Sequence, residues 1–306
     1  MSETRQVTPV AVRDAARAWS IGTILLLAVI WGLSIPLTKL GLETLPPMTL
    51  TALRFATALP VLFALSLCQR LPLRAVPRVA LLGIIGISVG QVAQTFGIEG
   101  TSASVGAILS ATIPVFVVAF AALRLRQTVT PRQLLGLLAA FAGIALVAIA
   151  PGGETAPVQQ STVGGIVWML LSSVAIAFYY VWSAELTRDY GTPAVAAWST
   201  LFGFLALLPW TVTETLSGPL NLTVQGFAVA AYLGVFVTAA GLFLWLYLLR
   251  TVPAVVATSV QYLHPVIGIV VGAAIFGDTL GMAFAAGVVP ILGGLALALA
   301  PARNGA

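Results

Sequence analysis

The chain has 306 residues, 59% of them hydrophobic and only 8% charged, with a formal net charge of +5 and a mean hydropathy of +1.06. A soluble domain carries roughly 25% charged residues, so too few polar side chains exist to cover a water-facing shell, and a soluble globular fold is excluded. One cysteine, Cys68, and one histidine, His264, exclude an internal disulfide framework and any Cys- or His-cluster metal site, and no metal or cofactor is expected.

Apolar stretches of about twenty residues recur from end to end, each long enough to cross roughly 30 Å of hydrocarbon. Backbone groups in lipid must pair within the segment, so these stretches are read as helices. The short alternating segments of a β-barrel do not occur. In chain order, helices are expected near 19–42, 48–68, 77–98, 101–123, 130–150, 162–185, 193–213, 224–249, 252–276 and 280–300. Pro46-Pro47, Pro151-Gly152-Gly153 and Gly218-Pro219 punctuate the gaps. The first stretch, Ala18 to Leu42, is too long for a signal-peptide apolar region and runs into Thr38-Lys39 rather than a small-residue cleavage site, so it is expected to be retained.

The basic residues give an orientation. Arg5, Arg13, Arg17, Arg70, Arg74, Arg78, Arg124, Arg126, Arg132, Arg188, Arg250 and Arg303 all share one side if there are ten crossings. The opposite loops carry Glu43, Glu99, Glu154, Glu214 and Asp278, with Lys39 near them. Both termini are therefore expected to be cytoplasmic, and the net positive charge needs no nucleic-acid partner.

Sliding the chain by 151 residues superposes Pro114 on Pro265, Val115 on Val266, Thr128 on Thr279, Gly136 on Gly287 and Gly143 on Gly294 without a gap. Helices four and five thus correspond to helices nine and ten. Five helices per half is an odd number, so the second half is expected to be inverted: an all-α membrane fold of two inverted five-helix repeats around a central cavity. The expected parts are a tail 1–18, a first repeat 19–150, an external linker 151–161, a second repeat 162–300 and a tail 301–306. Inverted repeats of this kind build many secondary transporters, with the substrate site near the midplane.

Trp31-Gly32, Lys39, Pro46-Pro47 and Leu53-Arg54-Phe55, with the helix-four and helix-nine prolines and the pairs Gly136/Gly143 and Gly287/Gly294, resemble the EamA branch of the drug/metabolite transporter superfamily over about residues 18–300. One departure stands out: the usual Gly-Glu of the four–five turn reads Arg126-Gln127, while the second half keeps Gly277-Asp278. The resemblance implies helices one, three, four, six, eight and nine around the cavity, helices two, five, seven and ten outside it, and export of amino acids, other metabolites or drugs. YddG-type amino-acid exporters of the bacterial inner membrane are the subgroup that fits best.

The candidate site residues follow from polarity at depth. His264 is central in helix nine, followed by Pro265 and preceded one turn earlier by Gln261-Tyr262. Polar groups in hydrocarbon face partners or water, so His264 either lines the cavity or bonds a neighbouring helix. Ser88, Gln91 and Thr95 share a face of helix three with Gln94 beside them, as binding groups or as interhelical glue. Ser102, Gly106, Ser110 and Pro114 form an i+4 stripe on helix four, read as packing or as cavity lining. Tyr179 and Tyr180 sit deeper if helix six ends near Glu185, still toward the cytoplasmic side, although belt or lipid contact is the commoner fate of an aromatic here. The proposed binding set is Gln91, Gln94, Ser110, Tyr179, Gln261, Tyr262 and His264, with Pro114 and Pro265 as hinges. Lys39 and Arg54, about 6 and 9 Å inside the outer helix ends, either snorkel outward or guard the external mouth and meet a carboxylate. The glycine pairs of helices five and ten are packing sites, within the chain or at a dimer contact.

No Asp or Glu falls at mid-membrane depth. That pattern disfavours a carboxylate-based proton antiporter or a polycation exporter, and phosphorylated substrates would want more Arg or Lys. The expectation is non-ATP export of small neutral or zwitterionic metabolites, amino acids including aromatic ones, by alternating access; drug, sugar or nucleoside efflux is the alternative. The partners are a small-molecule substrate and the bilayer, with the chain a monomer or homodimer. An intramembrane enzyme lacks its constellation: Gly86-Ile87-Ser88-Val89-Gly90 lies inside an apolar helix, not at a strand–helix turn. A non-transporting scaffold would give the polar midplane no purpose.

Overall fold

The computed structural model describes residues 10–67, 69–125, 130–149, 161–218, 222–242, 244, 245, 248, 260–278 and 281–299. The regular structure among them is entirely helical. Where the sequence predicts one helix over 19–42, two form: α1 (Val10–Gly32) and α2 (Ser34–Gly41), so that the helix also begins inside the expected tail. The break at Leu33 has a local cause. Pro36 has no N–H for the Gly32 carbonyl, and Ser34 Oγ turns back onto the Trp31 carbonyl at 2.6 Å.

Helix α3 (Pro47–Ser66) opens on Pro47, in the first turn, where the missing N–H has no intrahelical partner to lose. Then α4 (Val76–Leu82), a π-helical stretch Gly83–Val89 and α5 (Gly90–Glu99) follow one another without interruption. The expected fourth helix is split into α6 (Ala103–Ser110) and α7 (Ile113–Leu125), again just ahead of a proline, Pro114. Thr112 Oγ1 bonds the Leu109 carbonyl there at 2.7 Å. After α8 (Pro131–Ile149) come α9 (Val163–Tyr190) and α10 (Thr192–Ser217), which run past the expected ends at 185 and 213. Helix α11 (Val224–Ala231) continues into a second π-helical stretch, Tyr232–Ala240, and α12 (Val260–Phe276) and α13 (Met282–Leu299) end the fold. Most of the expected 151–161 linker, the Arg126-Gln127 turn and the start of the expected ninth helix, 252–259, lie outside the described residues.

Six described segments are long and apolar enough to cross a membrane: Ile21–Gly41, Pro47–Ser66, Leu73–Glu99, Ala103–Arg124, Val163–Tyr190 and Thr192–Ser217. Shorter apolar helices lie at Leu134–Gly143, Val224–Ala240, Leu263–Phe276 and Phe284–Gly294. Leu25, Leu26 and Val29 on α1, and Leu134, Leu135, Leu138 and Phe141 on α8, are exposed. A water-facing helix would carry charge on those faces, so they are lipid faces, and the chain is a multi-pass membrane protein.

Inside, Ile35, Ile98, Ile108, Met169 and Ile291 join α2, α5, α6, α9 and α13 in one apolar cluster. Glycines set the closest approaches. A Cβ at Gly83 would run into the Ser199 carbonyl of α10, and one at Gly234 into the Arg54 carbonyl of α3. Helices α8 and α13 meet in the same manner. A Cβ on Gly143 would stand 2.6 Å from the Gly287 carbonyl, and one on Gly294 would run into that of Gly136. These glycines therefore pack against each other within one chain, and no dimer contact is needed to explain them. Helix starts are closed from outside: Glu214 accepts the backbone N–H groups of Met48 and Thr49 on α3, and Gln69 Oε1 accepts that of Ala194 on α10 at 3.3 Å.

Candidate functional site

The irregular backbone collects in one place. The α1–α2 break contributes Trp31, Ser34 and Ile35 to the wall of a cavity of about 210 Å³, and the α6–α7 break contributes Ser110 and Ile113. The two π-helical stretches add Ile87, Val237 and Thr238, and α12 adds His264, next to Pro265. Non-ideal backbone at membrane depth survives where it is enclosed by protein or lines a cavity, and π segments concentrate at functional sites. The segment order of the chain thus points to this cavity before any side chain is considered.

Of the expected binding residues, Gln91, Gln94, Ser110, Tyr179 and His264 line this cavity together. Gln91 Oε1 is buried without a hydrogen-bond partner among the described residues. Ser110 Oγ bonds the Ala107 carbonyl at 2.7 Å. The Tyr179 hydroxyl and Ser199 Oγ are 3.2 Å apart, so the phenol is held between α9 and α10. His264 Nδ1 is 3.3 Å from the Val260 carbonyl; a carbonyl only accepts, so Nδ1 donates and the Nε2 of a neutral ring is the acceptor. Gln261 and Tyr262 belong to α12, but their side chains lie outside the described residues. Ser88 and Thr95, from the same helix-three face, are buried off the cavity, with Thr95 bonded to Thr51 across helices at 2.9 Å. That is interhelical glue.

The two cations part company. Arg54 is at the cavity wall, 8% exposed, with Nε 3.1 Å from Thr238 Oγ1. Lys39 is not a lining residue. Its ammonium donates to the Ile98, Glu99 and Thr101 carbonyls at 2.9, 3.0 and 2.7 Å, so all three of its donors close the C-terminal end of α5. Pro114 sits in the first turn of α7, and Pro265 is buried inside a continuous α12.

Helices two and seven are not peripheral, contrary to what the resemblance implies. Arg54 and Phe55 of α3 and Ala196 and Thr200 of α10 line the cavity. The cause is the close approach at Gly234 and Gly83, which draws α3 and α10 onto the π-helical stretches. Among the described residues α8 and α13 contribute nothing to it, as the resemblance implies. Sequence reasoning missed Trp31, Tyr180, Thr238 and Trp245 as wall residues. Trp31 and Trp245 pack with centroids 5.8 Å apart, and Trp31 Nε1 donates to the Val237 carbonyl at 3.2 Å. The usable signal for Thr238 was that it is the lone hydroxyl-bearing aliphatic residue inside the apolar run Leu233–Ala240.

No Asp or Glu lines the cavity, and Arg54 is its one charged residue among those described. The arrangement offers uncharged donors and acceptors, aromatic faces and a single guanidinium, groups that can bind a small polar solute.

Known proteins agree with a binding and translocation role. The model of the EamA-like transporter family matches residues 18–149 and again residues 163–300. An uncharacterized transporter of Archaeoglobus fulgidus is 28% identical over 84% of this chain and 90% of its own. The uncharacterized inner membrane transporter YedA of Escherichia coli is 27% identical over 85% of this chain and 83% of its own. A probable terminal-alkyne amino-acid exporter of Streptantibioticus cattleyicolor is 27% identical over 85% of this chain and 86% of its own. A solved crystal structure aligns over 92% of this chain and 96% of its own with a TM-score of 0.61 at 19% identity, a likeness of fold alone. With two family matches that together span most of its length, and a cavity built where its helices break, the chain belongs to the EamA-like transporter family and is a membrane transporter.

Proposed function

We propose that this transporter is a secondary exporter of small neutral or zwitterionic metabolites, amino acids foremost, working by alternating access in a bacterial inner membrane. The observation that carries the reading is the cavity wall: amide, hydroxyl, imidazole and aromatic groups with one guanidinium and no carboxylate. Such a wall binds a zwitterion or a neutral polar solute and offers nothing to a polycation. The relative named a probable terminal-alkyne amino-acid exporter lends support, as YedA does for the inner membrane.

Ten crossings in two inverted halves, 19–150 and 162–300, are the architecture we assign, with Gln91, Gln94, Ser110, Tyr179 and His264 in the substrate site and Pro114 and Pro265 as hinges. Three exchanged contacts support it. The Gly143–Gly287 approach has a mirror in Gly294–Gly136, each residue displaced by 151 positions. Gly83 meets α10 where Gly234, also displaced by 151, meets α3. Glu214 closes α3 where Gln69 closes α10. Cytoplasmic termini are supported by Arg78, Arg124 and Arg188 lying around one pocket, away from Lys39 and Glu99.

The test is efflux of labelled phenylalanine from proteoliposomes, with and without a collapsed proton gradient. Efflux that survives the collapse fits the proposal, because among the described residues no carboxylate lines the cavity to carry protons across it. Complete loss of flux would sink uncoupled transport, and absence of any amino-acid flux would sink the substrate class.

A further inference from the structure

We infer that Arg54 and Gln91 form a two-point receptor for an α-amino acid: the guanidinium takes the substrate's carboxylate, and the Gln91 side-chain carbonyl takes a proton of its ammonium. The inference rests on the amino-acid reading above and specifies how the cavity recognises that substrate.

Two separate unfilled positions carry it. Arg54 is buried, and its hydrogen bond runs from Nε to Thr238. That leaves its two terminal nitrogens, with the remaining donors of the fork, without a partner among the described residues, in a side chain that lines the cavity. A guanidinium keeps its charge, and a charge held in a low-dielectric interior is costly unless paired. Among the described residues no carboxylate lines the cavity, and the ion pairs Arg124–Glu185 and Arg188–Asp189 lie elsewhere. The missing anion therefore comes from outside the chain, and the planar fork fits a carboxylate in a bidentate grip.

Gln91 supplies the complementary need. Its Oε1 is buried without a donor among the described residues, in a side chain that is part of the same cavity wall. Buried acceptors are rarely left unpaired, and this one asks for an N–H. The Trp31–Trp245 pair and the neighbouring Tyr179 and Tyr180 rings remain for the substrate's side chain. An amine without a carboxylate would sit against a bare guanidinium, and a carboxylate without an ammonium would leave Gln91 unfilled. Both should rank below the amino acid.

Proteoliposome uptake of phenylalanine, 3-phenylpropionate and phenylalaninamide tests this, with each variant first checked for a monodisperse peak and a thermal transition in detergent. Wild type is expected to favour phenylalanine. Arg54→Gln should lower kcat/KM for phenylalanine and 3-phenylpropionate by about 100-fold, as for one partner lost from a buried pair, and change that for phenylalaninamide by less than about threefold. Arg54→Lys, keeping charge without the fork, should recover about tenfold of that loss. Gln91→Leu should cost phenylalanine about tenfold and spare 3-phenylpropionate. If Arg54→Gln does not fold, Thr238→Val, which frees Nε alone, should raise KM for the two carboxylates and leave phenylalaninamide unmoved. Phenylalanine flux that Arg54→Gln, or in its place Thr238→Val, leaves unchanged overturns the receptor while amino-acid transport stands. Wild-type flux of only 3-phenylpropionate or only phenylalaninamide, or of none of the three, overturns both.

Discussion

The Glu214 carboxylate lies on the first turn of α3, with Oε2 2.8 Å from the Thr49 backbone nitrogen and 2.9 Å from Thr49 Oγ1, and Oε1 3.1 Å from the Met48 nitrogen. A helix leaves its first N–H groups without intrahelical partners, and an anion there also meets the positive end of the helix dipole. Gln69 does the same for α10 with one neutral bond at 3.3 Å. The two arrangements are related: 145 residues separate Gln69 from Glu214, and 145 separate Thr49 from Ala194. Charge and bond number predict unequal worth. Glu214→Ala should cost about 1–2 kcal/mol and Gln69→Ala about half a kcal/mol, read as loss of thermal stability in detergent. Equal losses would remove the argument.

Adjacent glycines on α13 give a sharper contrast. A Cβ on Gly294 meets the Gly136 carbonyl and the Ala140 nitrogen, whereas one on Gly293 meets nothing within 4 Å. Gly294→Ala should therefore lose about 1–3 kcal/mol by forcing α8 and α13 apart. Gly293→Ala should be neutral or gain a few tenths of a kcal/mol from helix propensity. Thermal melts of the two variants side by side decide it, since only the packing account separates residues one position apart.

These contacts also mark how far the sequence could be read. The apolar runs placed the helices because lipid leaves the backbone no other way to satisfy itself. Pro114 is legible as a hinge, but the breaks ahead of Pro36 and Pro114 are not anticipated as helix ends, and nothing in Gly83–Val89 or Tyr232–Ala240 distinguishes a π-helical stretch from an ordinary apolar helix. The 151-residue shift was visible because helices four and five repeat without a gap. The pairs in helices two and seven obey 145 instead, so the same shift passes over them. Arg54 and Lys39 were equally indistinct: rise per residue gives depth along a helix but not the face, and only the face decides between a cavity wall and a helix end.

Pro265 and Pro114 should behave differently as hinges. Pro265 lies inside α12, where alanine would restore an N–H to the carbonyl one turn back and stiffen the helix beside His264. Pro114 sits in the first turn of α7, where an extra N–H has no carbonyl waiting in the same helix. Pro265→Ala is expected to cut flux by about tenfold or more, and Pro114→Ala by less than about threefold. Thiol labelling at single engineered cysteines, measured alongside flux, reports the movement. Unchanged accessibility in both variants would reject the hinge.

Lys39 supplies the last test, because the role at an external mouth expected from its sequence position is one that its contacts argue against. Three short bonds to the Ile98, Glu99 and Thr101 carbonyls engage every donor it has, and they lie at the negative end of the α5 dipole. An ammonium so engaged has no donor left for a passing substrate. Lys39→Met should accordingly cost about 2 kcal/mol of stability, as for charge-assisted bonds of this kind, through fraying of α5 just outside Gln91 and Gln94. Its KM for phenylalanine should stay within about twofold of wild type, in contrast to the losses expected at Arg54. A variant that melts like wild type but shows a tenfold higher KM would return Lys39 to the external mouth.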